Sequence, residues 1–242
     1  MKTASIPPQI LRHPWNVSVS RAAAIQSALA KYLSLTPRAA PPRIVAGVDA
    51  AEDGDNVYVA IVVMDIIKGK IIEIQCAHTR EPVAFPKLGG YSAFRLGPTA
   101  LGAWKRIYHT PDLALFASHG VCHPRRCGLA THLGMRMDVP SIGCARERLV
   151  GRYDPPGPKR GDYAVVRYSP QAPAVVLRTR SGVNPLFVSP GHRIDLLGSI
   201  DTVLRCCTTH RLPEPLRRAH IEAGRYMRMR KSGVTAPADT AE

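Results

Sequence analysis

The spacing of apolar residues changes several times along the chain, and it predicts helices that alternate with strands. In residues 21–35 the apolar residues recur at helical intervals, and three prolines in residues 36–43 end that helix. Residues 43–50, 57–65 and 70–79 are apolar or β-branched runs separated by turns. Three such runs in succession predict an antiparallel meander.

The rest of the chain continues with shorter apolar runs between helical patterns. Residues 112–117 form a short apolar run that suits a buried strand. Strands that alternate with helices favour the α/β class, with a mixed sheet flanked by helices in a single domain. Further helices are predicted at residues 97–108, 124–137, 194–207 and 214–230, and further strands at 140–144, 164–168, 174–179 and 185–189.

The strength of this pattern divides the chain into three parts. Residues 1–20 contain prolines and little periodicity, so we expect an N-terminal arm. Residues 21–230 form the folded domain, and residues 231–242 form a C-terminal tail. The sequence has no run of eighteen apolar residues and no signal peptide, which predicts a cytoplasmic protein that does not enter a membrane. We expect it to be a monomer.

The charge of the chain indicates its class of partner. Lysine and arginine number 33 against 18 acidic residues, which gives a formal net charge of +15. A charge of this size repels itself, and a polyanionic partner such as DNA or RNA is the leading reason for keeping it. The alternative is an effect on solubility or of genome composition, because arginine is abundant along the whole chain.

The six cysteines do not form a C-x-x-C pair. We therefore interpret them as small buried apolar residues. Cys122 and Cys127 flank His123, so a metal site there is the alternative, although a structural zinc site needs four well-spaced ligands.

Three segments contain candidate functional residues. Asp49 ends the first predicted strand, where its carboxylate is placed either to bind a metal or to cap a turn. Residues 118–126 follow a predicted buried strand and precede a helix, which is a ligand-binding position in α/β sheets. Arginines near a helix N-terminus suit phosphate oxygens. The alternative is a polar loop with satisfied side chains. The candidates in this loop are His119, Gly120, His123, Arg125 and Arg126.

Residues 189–195 form a second strand-to-helix junction. His192 and Arg193 are candidates for contacts with metal or phosphate, and Gly191 allows a ligand to approach the backbone closely. Asp195 is suited to cap the helix that follows.

These segments together resemble the successive motifs of the endonuclease V family. The stretches RIVAGVDA, SHGVCHPRRCGLATHLG, VPSIGCAR, LRTRSGVNPLFVSPGHRIDL and HRLPEP occur in the family's order, and the similarity runs from about residue 22 to residue 225. The resemblance implies an RNase H-like fold and recognition of inosine in DNA or RNA. It also implies cleavage of the second phosphodiester bond 3′ to that base with Mg²⁺ or Mn²⁺, after a wedge has opened the strand.

When the family's motifs are aligned with this chain, some of the catalytic residues are present and others are replaced. The aspartate of the family's GVD motif falls on Asp49, and the histidine of its PGHR motif, which we take as the active-site histidine, falls on His192. The glutamate of SFRE falls on Leu96 and the aspartate of DGHG falls on Ala117. Leucine and alanine provide no donor atom for Mg²⁺, which binds through oxygen. Asp49 then remains as the one metal ligand of an incomplete site.

Two further motifs of the family differ in this chain. The lysine that ends GVAK falls on Arg146, and the aromatic residue of the PYIP wedge falls on Lys87. Lys87 cannot stack on bases, although its charge is suited to a phosphate. One alternative is that Glu52 or Asp53 reaches the site from the turn after Asp49, whereas Asp112 is expected at the opposite end of its strand.

Three hypotheses follow. The preferred one is a nucleic-acid-binding protein of the endonuclease V type whose metal-dependent cleavage is lost or impaired. The alternative is an active endonuclease with a degraded or relocated metal site. The third is a non-nuclease enzyme that uses a pocket containing His119, His123, His132, His192, Cys122 and Cys144. Under the first hypothesis, further phosphate contacts are expected from Arg217, Arg218, Arg225, Arg228, Arg230 and Lys231.

Overall fold

The computed structural model describes residues 6–233, and within them eight strands form one mixed sheet in the order β3-β2-β1-β4-β5-β8-β7-β6. Strands β1 to β3 form the predicted antiparallel meander, while β1, β4 and β5 run parallel to one another. Strand β8 lies antiparallel to β5. The strands are β1 Ile44–Asp53, β2 Asn56–Asp65, β3 Lys70–His78, β4 Leu113–Phe116, β5 Ser141–Ala145, β6 Tyr163–Val165, β7 Val175–Leu177 and β8 Leu186–His192.

Helices cover both faces of this sheet, which confirms the predicted α/β architecture. Helices α3 and α4 pack on one face, against Val48, Val59 and their neighbours. Helices α5 and α6 pack on the other face, against Val45 and Leu115. The helices are α1 Pro8–Leu11, α2 Val19–Leu29, α3 Ser92–Trp104, α4 Leu129–Met137, α5 Leu196–Cys206 and α6 Glu214–Lys231. None of these described helices is both long and apolar enough to cross a membrane.

Helix α6 lies unusually close to β1. A Cβ atom at Gly47 would lie 2.2 Å from the carbonyl carbon of Pro215, so only glycine allows this approach. The close contact brings the first turns of α6 over the carboxyl-terminal half of β1, where Asp49 lies.

Helix α3 begins at Ser92, whereas the sequence pattern placed its start at residue 97. Pro98 therefore lies inside the helix rather than in its first turn, and its missing N–H leaves the carbonyl of Phe94 without the usual helical bond. Burial of Phe94 and Arg95 against the protein outweighs this penalty. The earlier start places Leu96 on the helix.

Helix α4 begins at Leu129, so the predicted helix over 124–137 starts too early. Arg126 has a φ of 54°, a left-handed conformation that a continuing helix excludes. Arg125 and Arg126 consequently lie in the loop before α4 and not at its N-terminus. Asp195 does cap α5 as predicted, because its Oδ1 accepts from the N–H of Gly198 at 2.8 Å.

Described residues of the predicted N-terminal arm pack onto the domain. The buried ring of His13 reaches that of His132 with 2.7 Å between their Nε2 atoms. Trp15 stacks on the same His132 ring, with centroids 5.1 Å apart. Residues 1–5 of the arm and 234–242 of the predicted C-terminal tail lie outside the described residues, and residue 231 belongs to α6.

Candidate functional site

Asp49 lies on the α6 side of the sheet and is hydrogen-bonded through both carboxylate oxygens. Its Oδ1 accepts from the N–H of Ala50 at 2.8 Å, and its Oδ2 accepts from Nδ1 of His220 on α6 at 2.9 Å. Burial raises the pKa of Asp49, although the backbone bond and the nearby His220 and Arg146 act in the opposite direction. The Asp49 side chain is 15% exposed, so most of its surface is covered by the protein.

Leu96 and Ala117 flank Asp49, as the resemblance predicted for the two missing carboxylates. All three residues line one cavity of about 20 Å³ between β1, β4 and α3. Leu96 packs into the apolar core on the α3 side, and Ala117 packs into the core on the α6 side. The substituted positions thus line the same cavity as the retained aspartate. A carboxylate at either position would be placed to bind the same metal ion as Asp49.

An open cleft of about 420 Å³ lies on the outer side of Asp49. His119 follows β4, Arg146 follows β5, and His220 comes from α6, so three elements bring basic side chains to one place. Glu147 also lines this cleft. Burial lowers the pKa of His119 to about 4, so its ring is neutral at pH 7. The structure therefore brings together Asp49, His119 and Arg146 of the predicted site residues.

Sequence reasoning missed His220. The motif HRLPEP was recognised, but the helix after it was interpreted by its arginines alone. His220 follows the buried Leu216 by four residues, so helical geometry places both on the side of α6 that faces β1. That spacing was present in the sequence, but it indicates only a shared face of the helix and does not identify Asp49 as the partner of His220.

His192 is not close to Asp49, so the structure does not bring the two predicted catalytic residues together. In the sheet register His192 lies opposite Ser141, Ser141 opposite Ala114, and Ala114 opposite Ala46 of β1. Ala46 comes three residues before Asp49, and β8 is three strands away from β1. The separation is about 10 Å along the strands and about 14 Å across them. The physical reason is the direction of β8: because it is antiparallel to β5, its carboxyl end lies at the opposite edge of the sheet.

The residues next to His192 make contacts that stabilise the fold. Arg193 makes an ion pair of 2.5 Å with Asp138 at that far edge. A Cβ atom at Gly191 would lie 2.3 Å from Oγ of Ser141, so this glycine serves close packing. Contacts of Gly191 or Arg193 with a strand bound at Asp49 are therefore not supported.

Three predicted residues of the 118–126 loop are engaged within the protein. A Cβ atom at Gly120 would lie 2.0 Å from the carbonyl oxygen of Pro190, which again indicates close packing. His123 is 1% exposed and donates from Nε2 to the carbonyl of Gly90 at 2.7 Å. Arg126 donates from Nε to the carbonyl of Gln171 at 2.8 Å. Of this loop, His119 is the predicted contact that lines the cleft.

Lys87 is exposed at the tip of the loop before α3, and its Nζ lies 3.5 Å from Glu52. Glu52 also pairs with the buried Arg95 at 3.1 Å, so it stabilises this loop and does not complete the site of Asp49. Asp53 pairs with Lys231 at 2.8 Å.

Asp112 lies at the far end of β4, as predicted, and accepts from the N–H groups of Arg43 and Ile44. All three candidate replacement carboxylates are thus committed to other contacts.

The donor set does not fit a catalytic metal. Asp49 and His220 contribute one oxygen-donor group and one nitrogen-donor group, and Leu96 and Ala117 contribute none. Glu147 lines the same cleft, yet no group of three or more His, Cys, Asp or Glu among the described residues could hold a metal ion. Mg²⁺ binds through oxygen ligands in near-octahedral geometry, and two-ion cleavage needs carboxylates shared between the ions. No step through a metal follows from this site.

The thiols are not suited to nucleophilic catalysis. Burial raises the pKa of Cys122 to about 11 and raises the pKa of Cys144 well above its usual value. Both side chains therefore stay protonated at neutral pH, and the hypothesis of an enzyme based on the histidines and cysteines loses its nucleophile.

The basic residues of α6 are largely paired with acids, which reduces their expected role in phosphate binding. Glu214 binds Arg217 at 2.6 Å and Arg218 at 2.8 Å. Arg225 pairs with Glu222 at 3.1 Å, and Arg230 contacts His78. Exposed pairs of this kind contribute little to stability but offset the local charge.

Comparisons of sequence agree with the motifs. A model of the endonuclease V family matches residues 27–221. The endonuclease V of Roseiflexus castenholzii is 41% identical over 207 residues, which cover 86% of this chain and 92% of that protein. The endonuclease V of Alkalilimnicola ehrlichii is 40% identical over 210 residues, with 86% and 92% covered.

Comparisons of structure give the same result. The endonuclease V of Streptomyces avermitilis is 36% identical and superimposes with a TM-score of 0.84, covering 90% of this chain and 96% of that one. The RNase H-like fold implied by the motifs is thereby confirmed. The endonuclease V of Ciona intestinalis, 20% identical with a TM-score of 0.75 over 87% of this chain and 97% of that one, was solved with a 23mer DNA containing an inosine followed by a ribo-adenosine.

Proposed function

Because the chain belongs to the endonuclease V family, we propose that it binds inosine-containing strands of DNA or RNA and does not cut them by a metal-dependent route. One observation carries the second half of this proposal. Asp49 is bonded to His220, and the two neighbouring positions that could complete a metal site hold Leu96 and Ala117.

The cleft at Asp49 is suited to a phosphodiester group. Arg146 supplies a permanent positive charge, and the neutral ring of His119 can donate one N–H. His220 covers one oxygen of Asp49 with a hydrogen bond, which leaves less of that carboxylate facing a phosphate. The net charge of +15 supports binding of a polyanion as a whole. The inosine-containing DNA bound by the Ciona protein supports inosine-containing strands as the proposed ligand.

Divalent cations are the family's usual cofactor, but in this chain they are not expected to contribute to binding. Fluorescence anisotropy with a labelled single strand that contains one inosine tests this directly, with a strand carrying adenine at that position as the matched control. We expect the inosine strand to be preferred, equal affinity in EDTA and in Mg²⁺, and a steep loss of affinity as salt rises. Affinity that is independent of salt, or that appears only with Mg²⁺ or Mn²⁺, would contradict the proposal.

The variant Arg146→Ala identifies the surface that binds. We expect it to weaken binding by about threefold to fivefold, because one charged contact at a partly exposed site is lost. Arg193→Ala is the matched control at the opposite edge of the sheet, where Arg193 pairs with Asp138. Equal losses for the two variants would place binding elsewhere.

A further inference from the structure

Gln26 lies outside the recognised motifs, yet its side chain joins the loop before α3 to the loop before α4. It belongs to α2 and is completely buried. Its Nε2 donates to the carbonyls of Gly90 and Cys127, each at 2.9 Å. Its Oε1 accepts from Nε of Arg125 at 2.7 Å. These three partners fix the orientation of the amide, since the two carbonyls require N–H donors and the guanidinium requires an acceptor.

The carbonyl of Gly90 accepts a second hydrogen bond. Nε2 of His123 donates to it at 2.7 Å, and Nδ1 of His123 accepts from the N–H of Arg125. Burial lowers the pKa of His123 to about 4, so the ring keeps this neutral tautomer at pH 7. Gly90 itself has a φ of 81°, and a Cβ atom there would lie 3.0 Å from Nε2 of His123. Both the backbone conformation and the close approach of His123 therefore favour glycine at position 90.

The residues on either side of Gly90 differ sharply in exposure. Tyr91 follows it and is covered by the guanidinium of Arg125, which lies 4.3 Å from the ring centroid. Lys87 and Leu88 precede it and are exposed, with 74% of the Lys87 side chain accessible and Leu88 44% exposed. The loop is therefore held by buried hydrogen bonds at Gly90, while Lys87 and Leu88 at its tip are exposed to solvent.

We propose that Gln26 is a positioning residue, which acts through Gly90 to fix the exposed turn that presents Lys87 and Leu88 to a bound strand. This inference rests on the proposed function, because the turn needs a strand to contact. The underlying physical reason is entropic: a turn that is ordered before binding loses less conformational freedom when it binds. Satisfied buried hydrogen bonds are what keeps such a turn in one conformation.

A double-mutant cycle tests whether Gln26 acts through Lys87. Gln26→Met has similar length and cannot form the three hydrogen bonds, and Gln26→Glu keeps the bond to Arg125 but cannot donate to the two carbonyls. In the natural background we expect Lys87→Ala to weaken binding of the inosine strand by about threefold to fivefold. In either Gln26 background we expect Lys87→Ala to have no further effect, because the turn is no longer held toward the strand.

Arg146→Ala is the matched control for this cycle. Arg146 lies in the cleft at Asp49 and not in the turn, so its loss should weaken binding equally in all three backgrounds. The result that overturns the inference is an unchanged effect of Lys87→Ala in both Gln26 variants. A Gln26 role that is merely structural would lower stability and reduce every affinity, but it would leave the cycle additive.

Hydrogen exchange separates this inference from the proposed function. If the natural chain fails to bind any strand, the proposed function fails, and positioning is then judged from the amides of residues 87–91 in the unbound protein. We expect Gln26→Met to speed exchange there by about tenfold or more, as expected when a local hydrogen-bonded unit opens, while the amides of β1 and β4 keep their protection. Equal protection of residues 87–91 in the two proteins would overturn the inference.

Discussion

Nδ1 of His220 lies 2.9 Å from Oδ2 of Asp49, and this contact joins strand β1 to α6, the last helix of the domain. In a metal site both groups would be ligands and would face the same ion. In this chain they are hydrogen-bonded to each other, and Leu96 and Ala117 bring no further donor atoms to the cavity beside Asp49. The site is a cleft with basic side chains around one acid, whose Oδ2 is bonded to His220.

Restoring the two missing carboxylates is expected to create a metal site. In the variant Leu96→Glu/Ala117→Asp, two acids would lie beside Asp49 and repel one another without a cation. We expect lower thermal stability in EDTA and a rise in Tm of about 5 to 10 °C with saturating Mn²⁺, since a ligand that binds the folded state stabilises it. The natural chain should show no such rise.

The amide variant Leu96→Gln/Ala117→Asn is the control for size and polarity at these positions. It should respond to Mn²⁺ much less than the acidic variant does. If Mn²⁺ stabilises the natural chain as strongly as the acidic variant, a metal site already exists and the account of the cleft is wrong.

Removing the charge of Asp49 is expected to leave strand binding intact or to strengthen it. In Asp49→Asn the cleft loses its buried negative charge and keeps the positive charge of Arg146, so we expect affinity for the inosine strand to rise by up to about fivefold. Anisotropy measured in Mg²⁺ and in EDTA checks this. A marked loss of affinity in Mg²⁺ alone would mean that Asp49 holds a cation in the complex.

The buried histidines predict a loss of stability in mild acid. Burial lowers the pKa of His119, His123 and His192 from 6.5 to about 4. Between these pH values the unfolded chain binds more protons than the folded chain, so stability is complete above pH 6.5 and falls as the pH falls toward 4. The urea midpoint should therefore be lower at pH 5 than at pH 7.5. A midpoint that stays constant over this range would show that these rings are not buried as described.

Docking of the N-terminal segment predicts a contribution to stability. Trp15 stacks on His132, and a Cβ atom at Gly97 would lie 2.6 Å from its ring, so the ring fills a notch in α3. We expect Trp15→Ala to lower the free energy of unfolding by about 2 to 3 kcal/mol, less than for a completely buried tryptophan. The exposed neighbour Asn16→Ala is the control and should change it by less than about 0.5 kcal/mol. Equal, small effects of both variants would show that this packing does not stabilise the fold.

The sequence predicted most of the fold because strong periodicity and local packing agree over β1 to β3 and over α5 and α6. It misplaced the start of α3, because the penalty of Pro98 is outweighed by burial of Phe94, which no local pattern reveals. It extended α4 too far toward its N-terminus, because the left-handed conformation of Arg126 depends on its tertiary contacts.

The candidate site was predictable in part. Asp49, Leu96 and Ala117 were recognised as one site from motifs, and the cavity that they line places them together. His192 does not lie with them, because a motif does not reveal strand direction and the antiparallel β8 carries this residue to the other end of the strands. His220 was missed because its role depends on the close approach of α6 to Gly47.

The most direct measurement of the central claim is single-turnover cleavage of an inosine-containing strand, with excess protein and Mn²⁺ or Mg²⁺. The natural chain is compared with Asp49→Ala purified in parallel, because that variant reveals any contaminating nuclease. We expect the natural chain to bind the strand and both proteins to leave it uncut over long incubation. A product made by the natural chain and absent with Asp49→Ala would show instead that this chain cuts the strand through Asp49.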